Sequence, residues 1–191
     1  MPDRTVLLTG FGAFPGVDDN PSARVALDLH DSVGDGWRVH AAVLPVAWKR
    51  AHDEVADLVA RLKPNLLVHL GVATDSAVVR LETRAVNVLH FRVADVDGAQ
   101  PTAGEVIPLA PLLLESTVDL SRLAAHARLS GLEVALSDDA GRYVCNATYF
   151  ASLHAFPDIP VLFIHIPPVS ETWPMARLTL TVSGILHLLL A

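Results

Sequence analysis

The sequence predicts an α/β protein with a largely parallel sheet. Apolar runs of strand length alternate with helix-patterned stretches along the chain. No repeat, low-complexity tract or linker interrupts that alternation. The 191 residues are 51% hydrophobic and 18% charged. That is enough to bury a core without metal or disulfide staples, and it fits a single domain spanning residues 1–191.

Val6 to Thr9 is an apolar run ending at Gly10, the first strand. Asn20-Pro21-Ser22 is a helix start, with an Asn cap and Pro at the first helical position. Arg38 to Leu44 is the second strand. Trp48 to Leu62 places Val55, Leu58, Val59 and Leu62 on one helical face. Leu66 to Leu70 is a buried strand ending at Gly71, and Gly98 to Pro111 is loop-like. Ser121 to Leu129 is a helix closed by Gly131. Leu132 to Leu136 is a strand, Cys145 to His154 a helix, Val161 to Ile166 the last strand and Ala176 to Leu190 the last helix. In such sheets ligands bind beyond the carboxyl ends of the strands.

The net charge of −7 argues against a nucleic-acid partner. A mean hydropathy of +0.40 is high, but no stretch approaches the roughly 20 apolar residues of a membrane span. The first residues hold too short an apolar run for a signal peptide. A single cysteine gives no sign of an oxidising compartment. A cytoplasmic protein is expected, with some apolar surface buried between subunits.

Cys145 opens a helix, where the positive end of the dipole favours a thiolate; the plain alternative is a small buried hydrophobe. His165 ends the last apolar strand in Phe163-Ile164-His165-Ile166-Pro167, and His69 occupies a similar strand in Leu67-Val68-His69-Leu70. Either could be a base, and either could be a core histidine with satisfied bonds. Glu82 lies between Arg80 and Arg84, where a surface ion pair is the ordinary reading. No His-Glu-x-x-His or cysteine pair suggests a metal. Gly10-Phe11-Gly12 lacks the third glycine of a dinucleotide fingerprint, so no cofactor is expected. Asn146-Ala147-Thr148 is a glycosylation sequon without a secretory signal.

Taken together, these segments resemble the pyroglutamyl peptidase I family of cysteine peptidases. Four ordered blocks carry the likeness: Leu7 to Phe14 with Asn20-Pro21-Ser22; Glu82 with Asn87 and Arg92; Ala140 to Asn146; and Phe163 to Pro167. The resemblance implies a three-layer α/β/α fold with a mostly parallel mixed sheet. It implies removal of N-terminal pyroglutamate from peptides by a thiol exopeptidase, through Cys145, His165 and Glu82, with Arg92 near the oxyanion. A substrate pocket of Phe11, Phe14, Asn20, Val72, Tyr143 and Val144 is implied too, as is a dimer or tetramer.

The chain departs from the family where Val72 replaces a glutamine, where Ala73-Thr74-Asp75-Ser76 replaces a glycine-rich turn, and where Tyr143 replaces a phenylalanine. Leu112 to Leu123 also lacks the family's aromatic segment. These changes spare the triad and touch the pocket. A catalytically weak or inactive relative that binds a peptide or small lactam is therefore a competing expectation. A phosphorylase-type enzyme would need a Gly-rich phosphate loop followed by Lys, which is missing.

Overall fold

The computed structural model describes residues 4–14, 16–34 and 36–191. In chain order its elements are β1 (Arg4–Phe11), α1 (Pro21–Asp28), β2 (Val33–Gly34), β3 (Trp37–Leu44), α2 (Trp48–Leu62), β4 (Leu66–Val72), β5 (Val79–Glu82), β6 (Arg84–Val86), β7 (Leu113–Glu115), α3 (Leu120–Leu129), β8 (Val134–Ser137), α4 (Val144–Ala155), β9 (Val161–Ile166) and α5 (Met175–Leu190). Seven strands form one sheet in the order β2-β3-β1-β4-β9-β5-β8, and β6 pairs with β7 in a separate ribbon. The pairs β1–β3, β1–β4, β4–β9 and β5–β8 are parallel, whereas β2–β3 and β5–β9 are antiparallel. The sheet is therefore mixed and mostly parallel, as expected.

Strand alternation sorts the apolar residues into two layers. Val6, Leu8, Val68, Leu70, Leu162 and Ile164 face α1, α3 and α5. Leu7, Leu67 and Phe163 face α2 and α4 on the other side. This is the expected three-layer arrangement, and its central strands are buried on both faces, which explains their continuous apolar runs. Each fully buried Leu or Phe side chain stabilises the fold by about 1.5–3 kcal/mol.

The start of α1 and the end of α3 follow the sequence signals. Asn20 caps α1 by accepting from the Ser22 N–H at 3.1 Å, and Asp119 caps α3 by accepting from the Arg122 N–H at 3.0 Å. Gly131 follows α3 at φ +79°, a left-handed position that glycine takes at no steric cost.

Several elements differ from expectation. β4 does not end at Gly71 but continues to Val72, with Gly71 paired to His165 in register. The strand expected over Leu132 to Leu136 is β8, beginning at Val134. β2, β5, β6 and β7 were not expected; each has four residues or fewer, too short for an alternating pattern to emerge.

Candidate active site

The site forms where the sheet reverses direction, at the seam between β9 and β5. β9 presents His165 at its carboxyl end. Its Nδ1 lies 2.8 Å from Glu82 Oε1 at the end of β5. Glu82 is fully buried, and its Oε2 has no partner among the described residues. The surface ion-pair reading of Glu82 therefore fails. Arg80 and Arg84 turn instead to Asp75 and Asp138, at 3.3 and 2.7 Å. A buried carboxylate against an imidazole is strongly coupled, since water screens it little.

Cys145 lies in the first turn of α4, half-buried. α4 begins after Tyr143 without any side-chain cap, so its leading N–H groups are left free of intrahelical partners. The Cys145 sulfur and the His165 ring meet beside the backbone of Gly71. Gly71 sets how closely the pieces approach. A Cβ on Gly71 would stand 3.0 Å from Cys145 Sγ, 3.0 Å from His165 Cδ2 and 2.9 Å from Phe163 Cζ. The expected strand-ending glycine is in fact a clearance between the Cys145 sulfur and the His165 ring.

Burial pushes the His165 imidazolium toward deprotonation. The nearby Cys145 sulfur and the bonded Glu82 carboxylate favour the charged ring, outweigh that and raise its pKa to about 9. His69 shows the opposite balance. It is fully buried, with Nδ1 2.6 Å from Thr9 Oγ1 and Nε2 2.9 Å from Ser152 Oγ. With no charged partner, burial lowers its pKa to about 3. His69 is a satisfied core histidine and no competitor for the role of base.

A cleft of about 340 Å³ opens at Cys145 and His165, with Val72, Arg80, Asp139 and Tyr143 among its walls. The other pocket candidates are placed differently. Phe11 is buried and stacked on Phe163 at 6.4 Å, and Val144 is wholly interior. Asn20 is spent on capping α1 and on donating to the Gly12 carbonyl at 3.0 Å. Phe14 is half-buried beside the bridge to Val17 and lies off the cleft walls described. Arg92 is exposed on the loop after β6, and its guanidinium makes no bond among the described residues. Tyr143 donates its hydroxyl to the Ala94 carbonyl at 3.0 Å and packs edge-on against Phe91.

Sequence reasoning missed Asn146. Its amide clamps the β6 backbone from α4: Oδ1 accepts from the Val86 N–H at 2.9 Å, and Nδ2 donates to the Val86 carbonyl at 2.9 Å. This ties the segment after Glu82 to the helix that carries Cys145. Asn146 is fully buried, which closes the sequon to glycosylation. Its position next to Cys145 in a helix's first turn is the signal that could have found it. Among the described residues no cluster of three His, Cys, Asp or Glu side chains could hold a metal. No described helix is long and apolar enough to cross a membrane.

Comparison with known proteins matches this architecture. A family model described as Pyroglutamyl peptidase covers residues 4–177. The pyrrolidone-carboxylate peptidase of Cupriavidus necator is 37% identical over 174 residues, spanning 88% of this chain and 80% of that protein. Its counterpart from Pyrococcus furiosus is 32% identical over 171 residues, spanning 87% and 82%. The solved pyrrolidone carboxyl peptidase of Thermococcus litoralis is 27% identical and superposes with a TM-score of 0.92, over 98% of this chain and 93% of that one. The family match runs from β1 into α5, and the chain belongs to the pyroglutamyl peptidase family, a family of hydrolases that act as peptidases.

Proposed function

We propose that this chain removes N-terminal pyroglutamate from peptides, with Cys145 as nucleophile, His165 as acid and base, and Glu82 as the group that orients His165. The observation that carries the reading is one imidazole bonded at Nδ1 to a buried carboxylate, with the only cysteine of the chain beside it at Gly71. With Nδ1 held by Glu82, Nε2 is the nitrogen left to exchange a proton with sulfur.

The thiol proton passes to His165, and the thiolate attacks the carbonyl that joins pyroglutamate to the next residue. The C–S bond forms and the carbonyl oxygen becomes an oxyanion, which the uncapped N–H groups of α4 can hold. The C–N bond then breaks as His165 returns the proton to the departing amine. Water, losing a proton to His165, hydrolyses the thioester and frees pyroglutamate. A raised histidine pKa suits this sequence, because it favours the proton on the imidazole until the departing amine takes it.

Pyroglutamate is a neutral ring without an α-ammonium. An ordinary charged N-terminus would lose solvation on entering the same cleft. Val72 and Tyr143 supply cleft walls of suitable character. The reading extends to one domain over residues 1–191, a cytoplasmic location and a homo-oligomer. Leu109 and Leu112, 99% and 81% exposed, are apolar surface that such an assembly would cover.

The test is hydrolysis of a chromogenic pyroglutamyl amide by purified protein and by Cys145→Ala. Turnover by the wild type, none by the variant, single-site inactivation by iodoacetamide and indifference to EDTA are expected. An active alanine variant overturns the nucleophile. Binding of the amide without turnover would make the chain a non-catalytic relative.

A further inference from the structure

Arg80 is a charged side chain in the cleft that the proposed chemistry leaves unused. It lies on β5 directly opposite His165 of β9. Residues so opposed in an antiparallel pair point to one face, with Cβ atoms about 4.5–5.5 Å apart. Arg80 accordingly lines the same cleft as Cys145 and His165. It does not pair with Glu82, whose carboxylate is bonded to His165. Its side chain is only 27% exposed, but its one carboxylate partner among the described residues, Asp75, is 79% exposed and touches it at 3.3 Å. An exposed pair of this kind holds weakly. The cleft's other acid, Asp139, is already engaged by Arg142 at 2.7 Å and by the Gly141 N–H at 3.0 Å.

A guanidinium held by one exposed carboxylate is poised to exchange it for another. Pyroglutamate carries no charge, so it cannot be that second partner. The residue after the scissile bond can be: in a dipeptide it ends in a carboxylate, whose two oxygens match the guanidinium fork. Resting on the function proposed above, we propose that Arg80 binds the carboxylate of the residue that follows pyroglutamate, favouring pyroglutamyl dipeptides with a free C-terminus. Asp75 yields the guanidinium and swings into solvent, while the substrate amide is held over Cys145.

The experiment compares kcat/KM for pyroglutamyl-alanine and pyroglutamyl-alanine amide in wild type, Arg80→Met and Asp75→Asn. The readout is the acid-to-amide ratio within each protein, so a general loss of activity cancels. The wild-type ratio should be about three- to tenfold. In Arg80→Met it should fall to one or below, because Asp75 then repels the free acid. In Asp75→Asn it should rise, because Arg80 loses its competing partner. A wild-type ratio of one or less, or an unchanged ratio in Arg80→Met, overturns the proposal. So does an equal drop in both variants, which would make the pair a brace for the turn before β5. Failure to turn over either dipeptide or a neutral chromogenic pyroglutamyl amide overturns the functional reading and this proposal together. Turnover of the neutral amide without the predicted ratios overturns only the role of Arg80.

Discussion

Replacing Gly71 with alanine should push Cys145 and His165 apart. The new methyl carbon would meet Phe163 Cζ at 2.9 Å and both Cys145 Sγ and His165 Cδ2 at 3.0 Å. Comfortable carbon contacts begin near 3.5 Å, so each neighbour must yield by about half an ångström. Phe163 has little room, being packed against Phe11, His69 and Tyr149 with ring centroids at 6.4, 6.0 and 5.6 Å. The displacement therefore falls on Cys145 and His165. Overpacking of this size costs about 1–3 kcal/mol of stability. For a chain of this length that lowers the Tm by roughly 2–4 °C per kcal/mol. The chemistry should suffer more, because misplacing reacting groups by about 1 Å costs on the order of a hundredfold. We expect kcat on a pyroglutamyl amide to fall about ten- to a hundredfold, while circular dichroism shows a folded protein with a modestly reduced Tm. Alkylation of Cys145 by iodoacetamide should slow as well, since the sulfur is moved away from the His165 ring. A variant with wild-type kcat and Tm would refute the claim that Gly71 sets the spacing.

Three other outcomes are expected. Glu82→Gln should lower kcat by about 10²–10⁴-fold with little change in KM, as loss of an orienting carboxylate does; near-normal kcat would leave Glu82 without a catalytic part. His165 has its folded pKa raised to about 9 from an ordinary 6.5. Its stabilising contribution is therefore fully present below about pH 6.5 and disappears as the pH rises through 9. A Tm that stays flat across that window would contradict this, and NMR titration of Cys145→Ala should show the His165 pKa moving back down. Val72→Gln should raise the kcat/KM ratio for pyroglutamyl over cyclopentyl-carbonyl amides, because valine offers the lactam no hydrogen bond and glutamine can; an unchanged ratio would mean that other groups read the ring.

The long elements were legible because their patterns are long. α2 and β9 have the bounds that helical spacing and a nearly continuous apolar run predict. β5 was not, since Val-Arg-Leu-Glu spends half its residues on charges. The burial of Glu82 is compensated by His165, 83 positions away, and no local window contains that partner. His69 and His165 look alike in sequence, each a lone histidine in an apolar strand. They differ only in what the fold brings to them, two hydroxyls in one case and a thiol with a carboxylate in the other. Gly71 posed the same difficulty: a glycine that ends a strand and a glycine that makes room for a sulfur read identically until the neighbours are known.

The order of the strands has a consequence for how the enzyme fails. β5 joins the sheet to β8 and is itself held to β9 through three paired residues, Arg80, Leu81 and Glu82, whereas β1 and β3 share eight. That short antiparallel seam carries the Glu82–His165 contact. Unzipping it would take β5 and β8 from the edge and strand the imidazole without its carboxylate, while the parallel centre of β3, β1, β4 and β9 kept its ladder. Inactivation on heating would then run ahead of global unfolding, and the shelf life of the activity would be set first by one edge of the molecule.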